Sequence, residues 1–230
     1  HKLIALLMFL FTFSANAQVP KGMGKSDAEA KKMLDAVSQK FKSYKSVQAN
    51  FNLKIENASG KVIGTKNGSL SMKSTKYRIS VSGQEIFSDG SNTWTYEKSS
   101  NEVTINKIDP TANSITPQKL FTNFYDKDFL YKLNGKVKEG GKTMQEIELT
   151  PIDKSKTFFK VLLYVDQNNI MTTKIFEKAG GKYTYSISGM KTGTGIPDNV
   201  FVSHLPEEIK KSNHQYKILW AHHAYDQPIL

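Results

Sequence analysis

From Phe51 to Ser188 the apolar residues of this chain recur at every second position, in about eleven short stretches. A period of two puts alternate side chains on opposite faces of a strand, so this pattern commits most of the chain to β-structure. "FNLKIEN" sets Phe51, Leu53 and Ile55 against Asn52, Lys54 and Glu56, and "KYRISVSG" sets Tyr77, Ile79 and Val81 against Arg78 and Ser80. "SLSMK", "TWTYEK", "NEVTINKI", "QEIELTPI", "FFKVLLYVD", "MTTKIFEK" and "KYTYSIS" follow the same rule. Turn signals ("ENASGK", "SDGSN", "KSSN", "EGGK", "DQNN", "KAGGK") separate them at the short spacing of antiparallel hairpins. In "FSDGSNTWTYEK" the alternation places Trp94 and Tyr96 on one face and Thr93 and Thr95 on the other. Such a pair either fills a core or lines a cavity.

Two segments depart from the period. "SDAEAKKMLDAVSQKFKSYKS" carries Ala30, Met33, Leu34, Val37, Phe41 and Tyr44 at helical spacing, with lysines on the remaining face. Ser26 as N-cap and Glu29 three residues later form a capping box. The second segment, around "TPQKLFTNFYDKDFLYKL", predicts a short apolar helix over 117–126, with Thr116 as N-cap and Pro117 at its first position. An antiparallel sheet with one apolar face needs a cover, and these two helices supply it.

The ends read differently. Lys2, the apolar run Leu3 to Phe13, and Ala15-Asn16-Ala17 have the pattern of a cleavable secretory signal, expected over 1–17. Export to a periplasm, as a monomer, is the expectation. Residues 203–230 lose the alternation and form an atypical tail.

Composition narrows the chemistry. There is no cysteine, and the histidines are His1, His204, His214, His222 and His223, so residues 18–202 hold neither. Histidine-dependent nucleophilic catalysis and ordinary zinc sites are thereby removed from the main body. No enzyme activity, metal or cofactor is expected; a hydrolase using two carboxylates remains formally open, with no spacing that singles out a pair. The formal charge of +11 is borne by lysine, Arg78 being the one arginine. That favours anionic surfaces or acidic partners over nucleic acid.

Taken in order, these features resemble the LolA family of periplasmic outer-membrane lipoprotein carriers, from about Lys31 to Val202. "VQANFNLKI", "GSLSMKSTKYRIS", "FSDGSNTWTYEKSSNEVT" (through Asp89, Gly90, Trp94 and Tyr96) and "ELTP" follow the helix as the family's motifs do. The resemblance implies a carrier-like domain over 18–202, a half-open antiparallel β-barrel closed by a few helices around a hydrophobic cavity. It also implies a chaperone that takes acylated lipoproteins from an inner-membrane ABC transporter complex and passes them to an outer-membrane receptor. The alternative is a related periplasmic module of the same fold that binds another lipid or regulates a signal. On that resemblance the acyl-chain cavity is expected at Leu53, Ile55, Leu70, Met72, Tyr77, Ile79, Val81, Trp94 and Tyr96, and the lid at Met33, Val37, Leu120, Phe121 and Phe124. The sequence departs from the family at its lid-latching arginine and the next proline, where it has Ser74 and Thr75. Arg78 is no substitute, because alternation turns it away from Tyr77 and Ile79.

Overall fold

The structure, a computed structural model, describes residues 26–108 and 125–202. Helix α1 (Ala28–Ser43) leads into strands β1 (Ser46–Glu56), β2 (Val62–Lys73), β3 (Lys76–Val81), β4 (Gln84–Ser88), β5 (Asn92–Glu97) and β6 (Glu102–Lys107). A single-turn helix α2 (Tyr125–Asp128) runs straight into β7 (Phe129–Glu139). Strands β8 (Lys142–Pro151), β9 (Phe158–Asp166), β10 (Asn169–Glu177) and β11 (Lys182–Thr192) follow, with a 3₁₀ turn at Asp198–Phe201. All eleven strands form one antiparallel sheet, ordered β6-β5-β4-β3-β2-β1-β11-β10-β9-β8-β7. The chain's first and last strands, β1 and β11, pair at the centre, and β6 and β7 stand unpaired with each other at the two edges, so the sheet is open. The mostly-β architecture expected from the alternation is therefore the one observed. The expected signal segment 1–17, the tail 203–230 and the lid residues Leu120, Phe121 and Phe124 lie outside the described residues, as does most of the helix expected over 117–126.

Directly paired residues share a face, so the register carries one apolar face across the whole sheet. Tyr131 pairs with Leu149, Leu149 with Val161, Val161 with Ile175, and Ile175 with Tyr183. Tyr183 meets Ile55 on β1, and along β1 the same face continues through Leu53, Phe51, Ala49 and Val47. From there Ala49 pairs with Leu70, Leu70 with Ile79 and Ile79 with Ile86. The β7–β10 part of this face packs against Ala30, Leu34 and Val37 of α1. Taking a side chain the size of Leu34 or Val37 from water contributes about 1.5–3 kcal/mol. The β1–β4 part forms a second cluster of Val47, Phe51, Leu70, Met72, Tyr77, Ile79 and Ile86, with Phe41 and Tyr44 from the end of α1 against it.

The helix starts one residue later than the capping box places it. Asp27, not Ser26, is the N-cap, its Oδ1 accepting from the Glu29 and Ala30 amides at 2.8 and 3.4 Å. The physical reason is a second task. The Asp27 amide donates to the Tyr131 carbonyl at 2.9 Å, and its Oδ2 accepts from the Leu133 amide at 3.2 Å. A carboxylate has two oxygens for these two tasks; a serine hydroxyl has one. The Leu133 and Glu29 amides hold the Asp27 carboxyl below its usual range.

Gly68 shows how closely the second cluster is fitted. A Cβ there would stand 2.6 Å from the Ser80 carbonyl oxygen and overlap the Phe51 ring. Replacing Gly68 by valine is expected to destabilise the protein by ~1–3 kcal/mol through overpacking, read as a lower urea midpoint.

Candidate functional site

The two apolar clusters meet beneath the C-terminal half of α1. There the structure leaves a cavity of about 30 Å³, lined by Val37 and Phe41 of α1, Val47 and Ala49 of β1, Leu70 of β2, and Ile170, Ile187 and Met190. Asn168 in the β9–β10 turn and Asn169 at the start of β10 close its rim. That volume is about one water molecule's share, against roughly 300–1,000 Å³ for a ligand pocket. The lining is almost wholly apolar. Here α1 lies on the sheet, and its Val37 and Phe41 side chains occupy most of the space between the two clusters.

Polar contacts add to this apolar burial at several points along α1. Its start is tied to β7 by Asp27, as above. At mid-helix the Tyr125 hydroxyl donates to Asp35 Oδ1 at 2.7 Å, and Lys31 bridges Asp35 and Asp126 at 3.0 and 3.3 Å. At its end Lys40 Nζ donates to the Gln167 carbonyl at 2.6 Å, and the Tyr44 hydroxyl to Asn169 Oδ1 at 2.9 Å. Gln167 and Asn168 take positive φ values of 47° and 60°, which turn the β9–β10 hairpin tightly enough to present these acceptors. The Tyr125 hydrogen bond is the main cause of an Asp35 carboxyl held below its ordinary range, and burial followed by that bond raises Tyr125.

The expected cavity residues divide into three groups. Leu70, Met72, Tyr77 and Ile79 are buried together in the β1–β4 cluster, with Val81 half-buried against it. Leu53 and Ile55 lie farther along the same face, half-buried, opposite Tyr185 and Tyr183. Trp94 and Tyr96 are a correction. Ile86 pairs with Thr95, whereas Phe87 pairs with Trp94 and Arg78 with Phe87. Trp94 and Tyr96 therefore share the convex face with Arg78, away from Leu70 and Ile79. On that face Arg78 lies 5.1 Å from the Phe87 ring centre and bonds Glu85 at 2.6 Å. Of the expected lid, Val37 is buried and lines the cavity, and Met33 packs on the β7–β10 cluster.

Sequence reasoning missed Val47, Ala49, Ile170, Ile187 and Met190, and did not place Phe41 at the cavity. The first two continue the Phe51 alternation toward the N-terminus, a signal that was available. Met190 was hidden, because β1 and β11 slip register between Gln48 and Asn50, and Gly189 takes a φ of +59° there. The corner that would carry the family's arginine is also visible. Ser74 (φ 54°) sits in the β2–β3 turn, and Lys73 and Lys76 beside it grip Asp198 at 2.8 and 3.0 Å. Lys73 also donates to the Ile196 carbonyl at 3.1 Å. Both lysines lower the Asp198 carboxyl, Lys73 more. This corner is tied to the chain after β11.

Comparison with known proteins agrees with this architecture. A family model described as "Outer membrane lipoprotein carrier protein LolA" matches residues 42–204. An outer-membrane lipoprotein carrier protein of Cupriavidus pinatubonensis is 27% identical over 185 residues, covering 78% of this chain and 85% of its own. One from Cupriavidus necator is 26% identical over 160 residues, covering 67% of this chain and 74% of its own. A solved structure of an uncharacterized conserved protein from Thermus thermophilus has the same fold, with a TM-score of 0.52 at 11% identity, covering 75% of this chain and 92% of its own. The chain belongs to the LolA family.

Because its folded pKa is depressed, the Asp35 contribution is present above the ordinary carboxylate range and is lost as pH falls through the folded value. Replacing Tyr125 by phenylalanine removes the largest cause, so the Asp35 titration midpoint is expected to move up toward 3.8, followed by carboxyl-carbon NMR.

Proposed function

We propose that this LolA-family chain is a periplasmic carrier that shields lipoprotein acyl chains between α1 and the concave face of the sheet. The observation that supports it most is the cover itself: among the described residues a helix closes an apolar face over a nearly filled cavity, held by apolar burial and by polar contacts along its length. Acyl chains leave a membrane unaided only at about 0.8 kcal/mol per exposed CH₂, so a carrier must replace the bilayer with protein apolar surface. When α1 lifts, the face from Leu70 through Ala49 and Ile187 offers that surface. When α1 closes, its own Val37 and Phe41 take the place of cargo, which favours release. An inner-membrane ABC transporter complex as donor and an outer-membrane receptor as acceptor complete the reading. It requires no catalysis.

The chain's Ser74 corner keeps a second reading in view, a carrier of other lipids. Both are separated by one comparison of a palmitoylated lipopeptide with free palmitate. The carrier of lipoproteins is expected to bind the lipopeptide and to release it to acceptor membranes. A protein that holds palmitate and not the lipopeptide supports the second reading.

Ile187 is only partly buried and lines the cavity, so its substitution tests the site with limited risk to folding. Ile187→Glu is expected to weaken lipopeptide binding at least about tenfold by leaving a charge in an apolar site. Trp94→Glu, on the convex face, is expected to leave it within about twofold, since alternate residues of a strand face opposite ways. Fluorescence titration measures both.

A further inference from the structure

One end of the sheet carries apolar side chains that nothing in the carrier mechanism uses. Across that end the register runs Val62–Glu56–Lys182–Phe176–Lys160, from β2 through β1, β11 and β10 to β9. Val62 is 48% exposed, Ile63 63% and Phe159 48%. Both Ile63 and Phe159 fall where the ladder skips a residue, between Ile55 and Glu56 on one side and between Phe176 and Glu177 on the other. A bulge frees a side chain from its cross-strand neighbours and re-aims it. Phe159 leans on Phe176, at 6.3 Å between ring centres, and the Lys160 ammonium caps that ring at 4.6 Å.

The charge around these residues is positive. Lys61 and Lys178 stand exposed in the two adjoining turns, with Lys154 and Lys156 in the turn before β9. Four acidic groups lie nearby. Glu56 is buried and already paired with Lys182 at 3.1 Å and Lys54 at 3.4 Å. Asp153 accepts from Ser155, and Glu177 and Asp128 are outnumbered. The two turns pack on each other, leaving Gly180 against Ala58, so these lysines are held on one common rim.

Four strand spacings separate Ile63 from Phe159, about 19 Å. Apolar points that far apart, with lysines between them, fit a flat anionic surface better than a peptide. We propose that this end of the sheet docks reversibly on an anionic phospholipid bilayer, with Val62, Ile63 and Phe159 entering the interface and Lys61, Lys160 and Lys178 on the head groups. Few apolar contacts combined with a basic rim give marginal, reversible attachment, as suits a protein that must also leave. The inference does not depend on acyl cargo and is tested without any.

The chain from Gln18, the form expected after cleavage of 1–17, is sedimented with vesicles of phosphatidylcholine alone or mixed equally with phosphatidylglycerol. Binding is expected to the mixed vesicles only and to weaken with salt. Ile63→Asp combined with Phe159→Asp is expected to lower it about tenfold or more, and Lys61→Glu combined with Lys160→Glu about tenfold, at unchanged circular dichroism. Ile187→Glu is expected to bind vesicles as wild type does, which keeps this result separate from the cavity. No binding by the wild type, or equal binding by wild type and tip variants, overturns the proposal.

Discussion

An open sheet with one apolar face must be covered, and that requirement organises the rest of this molecule. Eleven antiparallel strands keep register well enough to present a single concave face from Tyr131 to Ile86. Left to water, that face would invite association; closed into a full barrel, it would need no cover. The edges at β6 and β7 prevent closure, so the cover comes from outside the sheet.

Among the described residues the main cover is α1, and its two kinds of attachment have different consequences. Ala30, Leu34 and Val37 give non-directional burial, which another apolar chain could replace. Asp27, Asp35, Lys40 and Tyr44 give directional contacts at a few points, which position the helix but hold little area. On the proposed reading, a cover built this way exchanges its own side chains for a ligand's acyl chains without reorganising the sheet. A small void at Ala49 and Ile187 lies under the helix, beside the junction of the two clusters.

The strands were legible because alternation is local: "FFKVLLYVD" is β9 residue for residue. The amphipathic helix was legible for the same reason. Which face a strand turns inward was not, since alternation gives two sets and no orientation. Ile86 and Phe87 show the difficulty. Both are buried, so only the pairing of Ile86 with Thr95 reveals that Trp94 belongs to the convex side. The fasteners of α1 were also invisible, because Gln167, Asn169 and Leu133 lie far from their partners in sequence and carry no local signal. Asp27 was passed over for Ser26 because a capping box scores only the helix, while the structure also uses Asp27 to bind β7.

The central claim is that α1 moves off the sheet to admit acyl chains. Nitroxide labels on cysteines introduced at Gln39 and Ser188, both exposed in this cysteine-free chain, measure it directly by pulsed electron resonance. Adding a palmitoylated lipopeptide should move the distance distribution beyond the width seen without it. An unchanged distribution with the lipopeptide bound would contradict the account.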